Sequence, residues 1–190
     1  MTAPVEKPIP PRPGLGAGAA RLAEILRVDH AGELAAVQIY RGQQAVFAAG
    51  HGMQGPADEM AAMAAQERDH LKAFDALLIE RGVRPSLLSP LWRAAGFALG
   101  AATALMGEKA AHACTEAVES VIEAHYAGQI EELAEREPEL SGRISQYRDD
   151  ELAHRDRAIE QGAHEAPGYA LLSAVIRLGC QGAIRLAEKV

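Results

Sequence analysis

Gln66-Glu67-Arg68-Asp69-His70-Leu71-Lys72-Ala73-Phe74 sets an acid and an imidazole three residues apart, inside the otherwise apolar helical seam of Met60, Met63, Phe74 and Leu77. Arg148-Asp149-Asp150-Glu151-Leu152-Ala153-His154-Arg155 repeats the spacing with Glu151 and His154. A helix advances about 100° per residue, so a Glu and a His three apart project about 60° from one another and can grip one ion from adjacent turns. Burying an ionised carboxylate in an apolar core costs several kcal/mol, so an acid on such a seam requires a positive partner.

Working outward from these stretches, helical periodicity runs from Arg21 onward and strand-like alternation is absent. Leu22, Leu26, Asp29, Glu33, Ala36, Tyr40 and Phe47 share one stripe and predict a first helix over about residues 20–49, ended by Gly50, Gly52, Gly55 and Pro56. A second helix is expected after Pro56, opening on an acidic turn at Asp58 and Glu59 and closed by Gly82, Pro85 and Pro90. A third, mostly uncharged, runs from Leu91 to Met106. The fourth follows Gly107, carries Thr115, Glu119, Ile122, Tyr126, Ile130 and Leu133, and stops at Pro138. The fifth carries Ile144, Tyr147, Glu151, His154 and Ala158 to near Gly162, and a broadly apolar sixth follows Pro167.

A weak repeat organises these helices. Glu33 precedes Glu67 by 34 residues and Glu119 precedes Glu151 by 32, each a lone Glu on one helix followed by Glu-x-x-His on the next. With a helix between the two pairs, this predicts an all-α fold: a ferritin-like four-helix bundle of two antiparallel hairpins joined by a long crossover, with two additional apolar helices.

Composition agrees. The 190 residues are 48% hydrophobic but only 4% aromatic, with Ala supplying much of the apolar share, which suits closely packed helices rather than a sheet. A net charge of −7 without a basic patch excludes a duplex nucleic acid as partner. Cys114 and Cys180 lack Cys-x-x-Cys spacing and read as free thiols in a reducing compartment. Residues 1–20 hold five prolines and three glycines and are expected to be a disordered leader, with neither a signal core nor an import pattern, leaving 21–190 as one folded domain.

Four carboxylates and two imidazoles therefore share inward stripes with no Lys or Arg among them. Two divalent ions balance four carboxylates, and Glu33, Glu67, His70, Glu119, Glu151 and His154 are the predicted metal ligands. Oxygen-rich ligation with one imidazole per ion suits iron or manganese and not a thiolate zinc site; the ligands leave iron and manganese undistinguished. A lone Glu-x-x-His is commonly a solvated ion pair, but two matched spacings with two matched upstream acids argue against coincidence. Asp150 is positioned to accept a hydrogen bond from a ligating histidine on the facing helix, and Asp29 is a similar candidate. Tyr126, one heptad after Glu119, and His125 next to it are placed beside the site, whereas His51, His112 and His164 lack matching partners and read as surface residues.

The stretches Arg27-Val28-Asp29-His30-Ala31-Gly32-Glu33, Glu67-Arg68-Asp69-His70, Ala113-Cys114-Thr115-Glu116-Ala117-Val118-Glu119, His125-Tyr126 and Arg148 to His154 together resemble the di-iron demethoxyubiquinone hydroxylase family of ubiquinone biosynthesis. The Asp-His-Ala-Gly-Glu run is far more specific than Glu-x-x-His. The resemblance implies an oxidoreductase: a monooxygenase with two iron ions cycling between Fe2+ and Fe3+, hydroxylating the ring of a methoxy-methyl-polyprenyl benzoquinol with dioxygen. It implies an external electron donor such as NADH and contacts with other ubiquinone-biosynthesis proteins. The six predicted ligands match the family's positions one by one, with one departure: many members have two adjacent glutamates where this chain has Glu119-Ser120. The register favours Glu119, on the apolar stripe, over Glu116, on a more polar one with Ser120 and Glu123.

Leu87 to Met106 and Tyr169 to Leu186 are apolar, but their internal arginines argue against spanning helices and for helices lying in a membrane interface. The expected location is peripheral, on the cytoplasmic side of a cell membrane. A ferritin-like iron-oxidising or peroxide-consuming protein could use the same ligands, and a metal-free helical interaction module is a third possibility. The apolar segments and the Asp-His-Ala-Gly-Glu run disfavour the second reading, and four buried acids disfavour the third.

Overall fold

The computed structural model describes residues 15–189, and every regular element among them is helical. The elements are α1 (Leu15–Ala49), α2 (Gln54–Arg81), α3 (Ser89–Leu105), α4 (Glu108–Leu133), α5 (Pro138–Glu160), a 3-10 turn (Ala163–Glu165) and α6 (Tyr169–Ala187). α1 pairs with α2 and α4 with α5, two antiparallel hairpins joined through α3. This is the expected all-α, ferritin-like bundle, with α3 packed along α1 and α6 along α4.

Prolines account for most differences from the expected boundaries. Pro138 does not stop α4, which ends at Leu133; it occupies the first turn of α5, where its missing N–H needs no partner and its fixed φ is already helical. α2 likewise starts at Gln54, with Pro56 inside its first turn, so Asp58 and Glu59 fall beyond that turn. Residues 15–20, expected in the leader, are the opening turns of α1; the rest of that leader lies outside the described residues. Gly82 ends α2 at φ 63°, in the left-handed region, so that the Val83 N–H can reach back to the Leu78 carbonyl at 2.8 Å.

Two apolar clusters bracket the middle of the bundle. Ile25, Leu26, Phe74, Leu77, Tyr126 and Ile144 form one, and Tyr40, Phe47, Met60, Met63 and Ala111 the other. On three helices the polar residues fall between the two clusters: Glu33 between Leu26 and Tyr40, Glu67 and His70 between Met63 and Phe74, Glu119 between Ala111 and Tyr126. Each large apolar side chain so buried contributes about 1.5–3 kcal/mol, and together they hold the polar layer away from water.

α3 approaches α1 through glycine. An added Cβ at Gly96 would meet the Ala35 carbonyl oxygen at 2.6 Å and one at Gly100 the Ile39 oxygen at 1.9 Å. α6 is fastened differently: Arg177 Nη2 and the Tyr169 hydroxyl donate to Glu116 of α4 at 2.6 and 3.0 Å. Glu116, expected on the more polar stripe of α4, is thus buried beneath α6. His112 differs too; it is fully buried in α4 and not a surface residue.

Candidate metal centre

Glu33 comes from α1, Glu67 and His70 from α2, Glu119 from α4, Glu151 and His154 from α5, and all six are buried. They converge as two overlapping groups, Glu33, Glu67, His70 and Glu151, and Glu67, Glu119, Glu151 and His154. Within each group one potential ligand atom per residue lies within 4.8 Å of all the others. Glu67 and Glu151 belong to both groups, which places them between two positions that could each hold a metal ion.

The atoms left without hydrogen-bond partners test that fit. Both carboxylate oxygens of Glu67 and of Glu151 are buried orphans, as are Oε2 of Glu33, Oε2 of Glu119 and Nδ1 of both histidines. The other oxygens are taken: the Tyr126 hydroxyl donates to Glu33 Oε1, and the Tyr40 hydroxyl to Glu119 Oε1. Eight orphaned lone-pair atoms facing one another would be costly in a packed core, and all are donor types suited to a hard or borderline cation.

The outward ring nitrogens have partners. His70 Nε2 lies 3.0 Å from Asp150 Oδ2 and His154 Nε2 lies 3.1 Å from Gln66 Oε1, so each outer partner fixes its ring with Nδ1 inward. His154 Nδ1 sits 2.9 Å from Glu67 Oε1, and His70 Nδ1 3.5 Å from Glu151 Oε1. The Tyr147 ring stacks on His70 with centroids 4.3 Å apart.

Electrostatics register the same crowding. Burial raises the Glu67 pKa, partly offset by His154 and His70, and burial together with Glu151 and Glu67 raises that of Glu119. Burial disfavours charge on the two imidazoles as well, but their carboxylate contacts outweigh it, holding His70 far above the ordinary histidine range and pushing His154 up to about 11. Burial and neighbouring carboxylates raise both Tyr40 and Tyr126, which therefore remain hydrogen-bond donors.

Of the flanking candidates, Tyr126 touches the cluster through Glu33. His125 does not; its ring lies 2.8 Å from Gln129 Nε2 and 3.7 Å from Asp29 Oδ1, at the edge of a groove between α4 and α6. Its place beside Tyr126 in sequence turns it by about 100° onto the next face. Buried Asp29 accepts from Gln129 at 2.7 Å and makes no bond to the six. Tyr40, Gln66 and Tyr147 carry contacts that sequence reasoning did not assign. The repeat held the signal for two of them: Tyr40 follows Glu33 by seven residues as Tyr126 follows Glu119, and Gln66 precedes Glu67 as Asp150 precedes Glu151.

An apolar cavity of about 90 Å³ is lined by Gly32, Ala36, Trp92, Val118, Ile122 and Ile184 among others and by no charged residue; Gly32 and Val118 directly precede Glu33 and Glu119, but none of the six clustered residues lines it. Val121 and Ile184 also line the outer groove, about 570 Å³, which carries Arg177, Gln181 and Arg185. Polar groove and apolar chamber thus meet at two shared side chains.

Comparison with known proteins fits this geometry. The family described as ubiquinone biosynthesis protein COQ7 matches residues 20–187. The mouse protein named NADPH-dependent 3-demethoxyubiquinone 3-hydroxylase, mitochondrial, is 50% identical over 169 residues, covering 87% of this chain and 76% of its own. The Rhodospirillum rubrum 3-demethoxyubiquinol 3-hydroxylase is 47% identical over 178 residues, covering 94% and 82%. The Saccharomyces cerevisiae 5-demethoxyubiquinone hydroxylase, mitochondrial, is 42% identical over 189 residues, covering 92% and 80%. With a match over nearly its whole length and relatives at this identity, the chain belongs to the COQ7 family of ubiquinone biosynthesis proteins.

Proposed function

We propose that this chain is a 3-demethoxyubiquinol 3-hydroxylase whose six clustered residues hold two iron ions. The observation that carries the reading is the set of inward-facing Glu and His atoms without hydrogen-bond partners, in a chain of the COQ7 family. Glu33 and His70 would ligate one ion and Glu119 and His154 the other, with Glu67 and Glu151 offering an oxygen to each. When bound, the iron pair supplies the electrons that activate dioxygen for insertion of one oxygen atom into the ring.

The chain's own residues do the rest. Tyr126 and Tyr40 each hold one oxygen of Glu33 and Glu119, leaving the second oxygen of each free to turn inward. Asp150 and Gln66 hold the imidazole tautomers. The apolar clusters on both sides exclude water, and the apolar chamber between α1, α4 and α6, at about 90 Å³, would have to widen to admit a benzoquinol and the first part of its tail. A nicotinamide donor is the proposed reductant, in line with the name of the mouse relative.

The chain is also proposed to work at a membrane surface, where such a tail resides. Large apolar side chains of α3, α6 and the loops beside α3 face outward, Leu87 at 81% and Leu171 at 73% exposure among them. α6 is, among the described residues, the one helix long and apolar enough to cross a membrane by length and composition. Arg177, in its middle, turns to Glu116, which favours a helix lying in the interface.

Anaerobic reconstitution with ferrous iron, followed by a demethoxyubiquinol, a reductant and dioxygen, tests the reading. The expected product carries one added oxygen atom by mass spectrometry, and about two irons bind per chain. Two irons bound with iron oxidation but no hydroxylated quinol would favour the iron-oxidising alternative; full activity in metal-free protein would overturn the centre.

A further inference from the structure

The two halves of the centre are near-copies. Glu33 and Tyr40 of α1 correspond to Glu119 and Tyr126 of α4, and each tyrosine donates across the bundle to the other helix's glutamate. Glu67 and His70 of α2 correspond to Glu151 and His154 of α5, and the residue before each shared glutamate reaches across to the opposite histidine. At that position the copies differ in charge: Asp150 puts a carboxylate on His70, whereas Gln66 puts a neutral amide on His154.

We propose that the two metal positions are unequal by construction, the ion beside Glu33 and His70 being held more tightly than the ion beside Glu119 and His154, with Asp150 and Gln66 as the positioning residues that set the difference. The inference rests on the two-metal reading above. An anionic acceptor draws the Nε2 proton outward and enriches Nδ1 as a donor, and it adds negative charge behind that ligand; an amide orients the ring equally well but does neither. Each ring is also braced by a tyrosine, His70 by the tilted Tyr147 ring at 4.3 Å and His154 edge-on by Tyr40 at 5.9 Å, so both have a second, uncharged support. Losing such an outer partner lowers metal affinity by roughly 10–100-fold, and because the Asp150 side chain is 42% exposed, screening sets the expectation near the lower end.

The test titrates metal-free protein with Co(II), following its visible absorption bands against a competing chelator. Sharing of Glu67 and Glu151 separates the two binding steps even in a symmetric centre, so the variants decide. Asp150→Asn should weaken the first step about tenfold with two ions still bound, and Gln66→Asp should tighten the second by a similar factor. Neither step moving in either variant, or Asp150→Asn weakening only the second, would overturn the inequality while leaving a two-metal centre intact. Wild-type protein that binds no Co(II) and no Fe(II) would instead overturn the centre itself, and the inference with it.

Discussion

Gly100→Ala adds a single methyl group where α3 crosses α1, and the structure allows it no space. The new Cβ would lie 1.9 Å from the Ile39 carbonyl oxygen, 2.7 Å from its carbon and 2.9 Å from its Cα, all backbone atoms of a buried helix. No side chain can rotate away, so α3 must withdraw by about 1.5 Å to reach ordinary contact, near 3.4 Å. Gly96 opposite Ala35 and Gly42 opposite Phe97 would lose their close approach together with it. Overpacking of this kind costs about 1–3 kcal/mol, and contact with rigid backbone places the cost at the upper end. Alanine returns about 1 kcal/mol through helix propensity, which leaves a net loss of about 2 kcal/mol. For a chain of this size that is a fall in Tm of about 4–8 °C. Gly128→Ala in α4 is the matched control, since its Cβ would meet nothing within 4 Å; it should hold or raise Tm. Thermal unfolding of both variants by circular dichroism decides the matter. A Gly100→Ala protein as stable as the parent would refute the backbone contact on which the placement of α3 depends.

Further expectations follow from single contacts. Glu119→Ala should abolish metal-dependent hydroxylation, whereas Glu116→Ala should retain about two metals per chain and lose about 2 kcal/mol of stability, discounted for the half-exposed Arg177 it leaves unpaired. The opposite pattern of metal loss would show that α4 is out of register. Burial lowers the His112 pKa below 6.5, so His112 contributes stability that is full above 6.5 and lost as pH falls through its lower folded value. Acid unfolding of a His112→Gln variant should accordingly begin at lower pH than that of the parent, and coincident curves would refute a neutral buried ring. Leu171→Ser with Leu178→Ser should reduce sedimentation with anionic vesicles, both side chains being well exposed. Carbonate should release the parent protein from membranes; release by detergent alone would make α6 a spanning helix.

What the sequence revealed, and what it concealed, follows from how much each residue type costs in a core. A glutamate on an apolar stripe is expensive, so Glu33, Glu67, Glu119 and Glu151 announce a shared reason for being there. A tyrosine on such a stripe is cheap, and Tyr40 therefore reads as ordinary core although its hydroxyl ends on Glu119. Gln66 is half-buried and uncharged, and only its correspondence with Asp150 in the repeat could have marked it. His112 and Glu116 fail for another reason. From Ala110 to Glu119 every residue of α4 is buried, because α4 is covered by the bundle on one side and by the 3-10 turn and α6 on the other. Where a helix is enclosed all round, periodicity no longer separates an inner face from an outer one, so over this stretch His112 reads as surface and Glu116 as part of a more polar stripe although both are buried.

That enclosure has a consequence for how the centre is reached. α6 buries little of its own surface yet lies between the chamber and the outside: Cys180, Ala183, Ile184 and Ala187 line the chamber while Leu171, Val175 and Leu178 face outward. It is tied to Glu116 of α4 by Arg177 at mid-helix and by Tyr169 in its first turn, Glu188 just past its C-terminal end lies 3.8 Å from Arg21 of α1, and the groove that joins the chamber at Ile184 opens beside that C-terminal half. The ligands stand on α1, α2, α4 and α5 and none on α6, so α6 can shift without displacing a ligand. The scaffold that must hold six ligands in place is thereby separated from the element that must let a long apolar substrate past. A covalent tie between α6 and α1 across the chamber should leave metal content at its wild-type level and suppress turnover of the long-tailed quinol more than that of a short-tailed one.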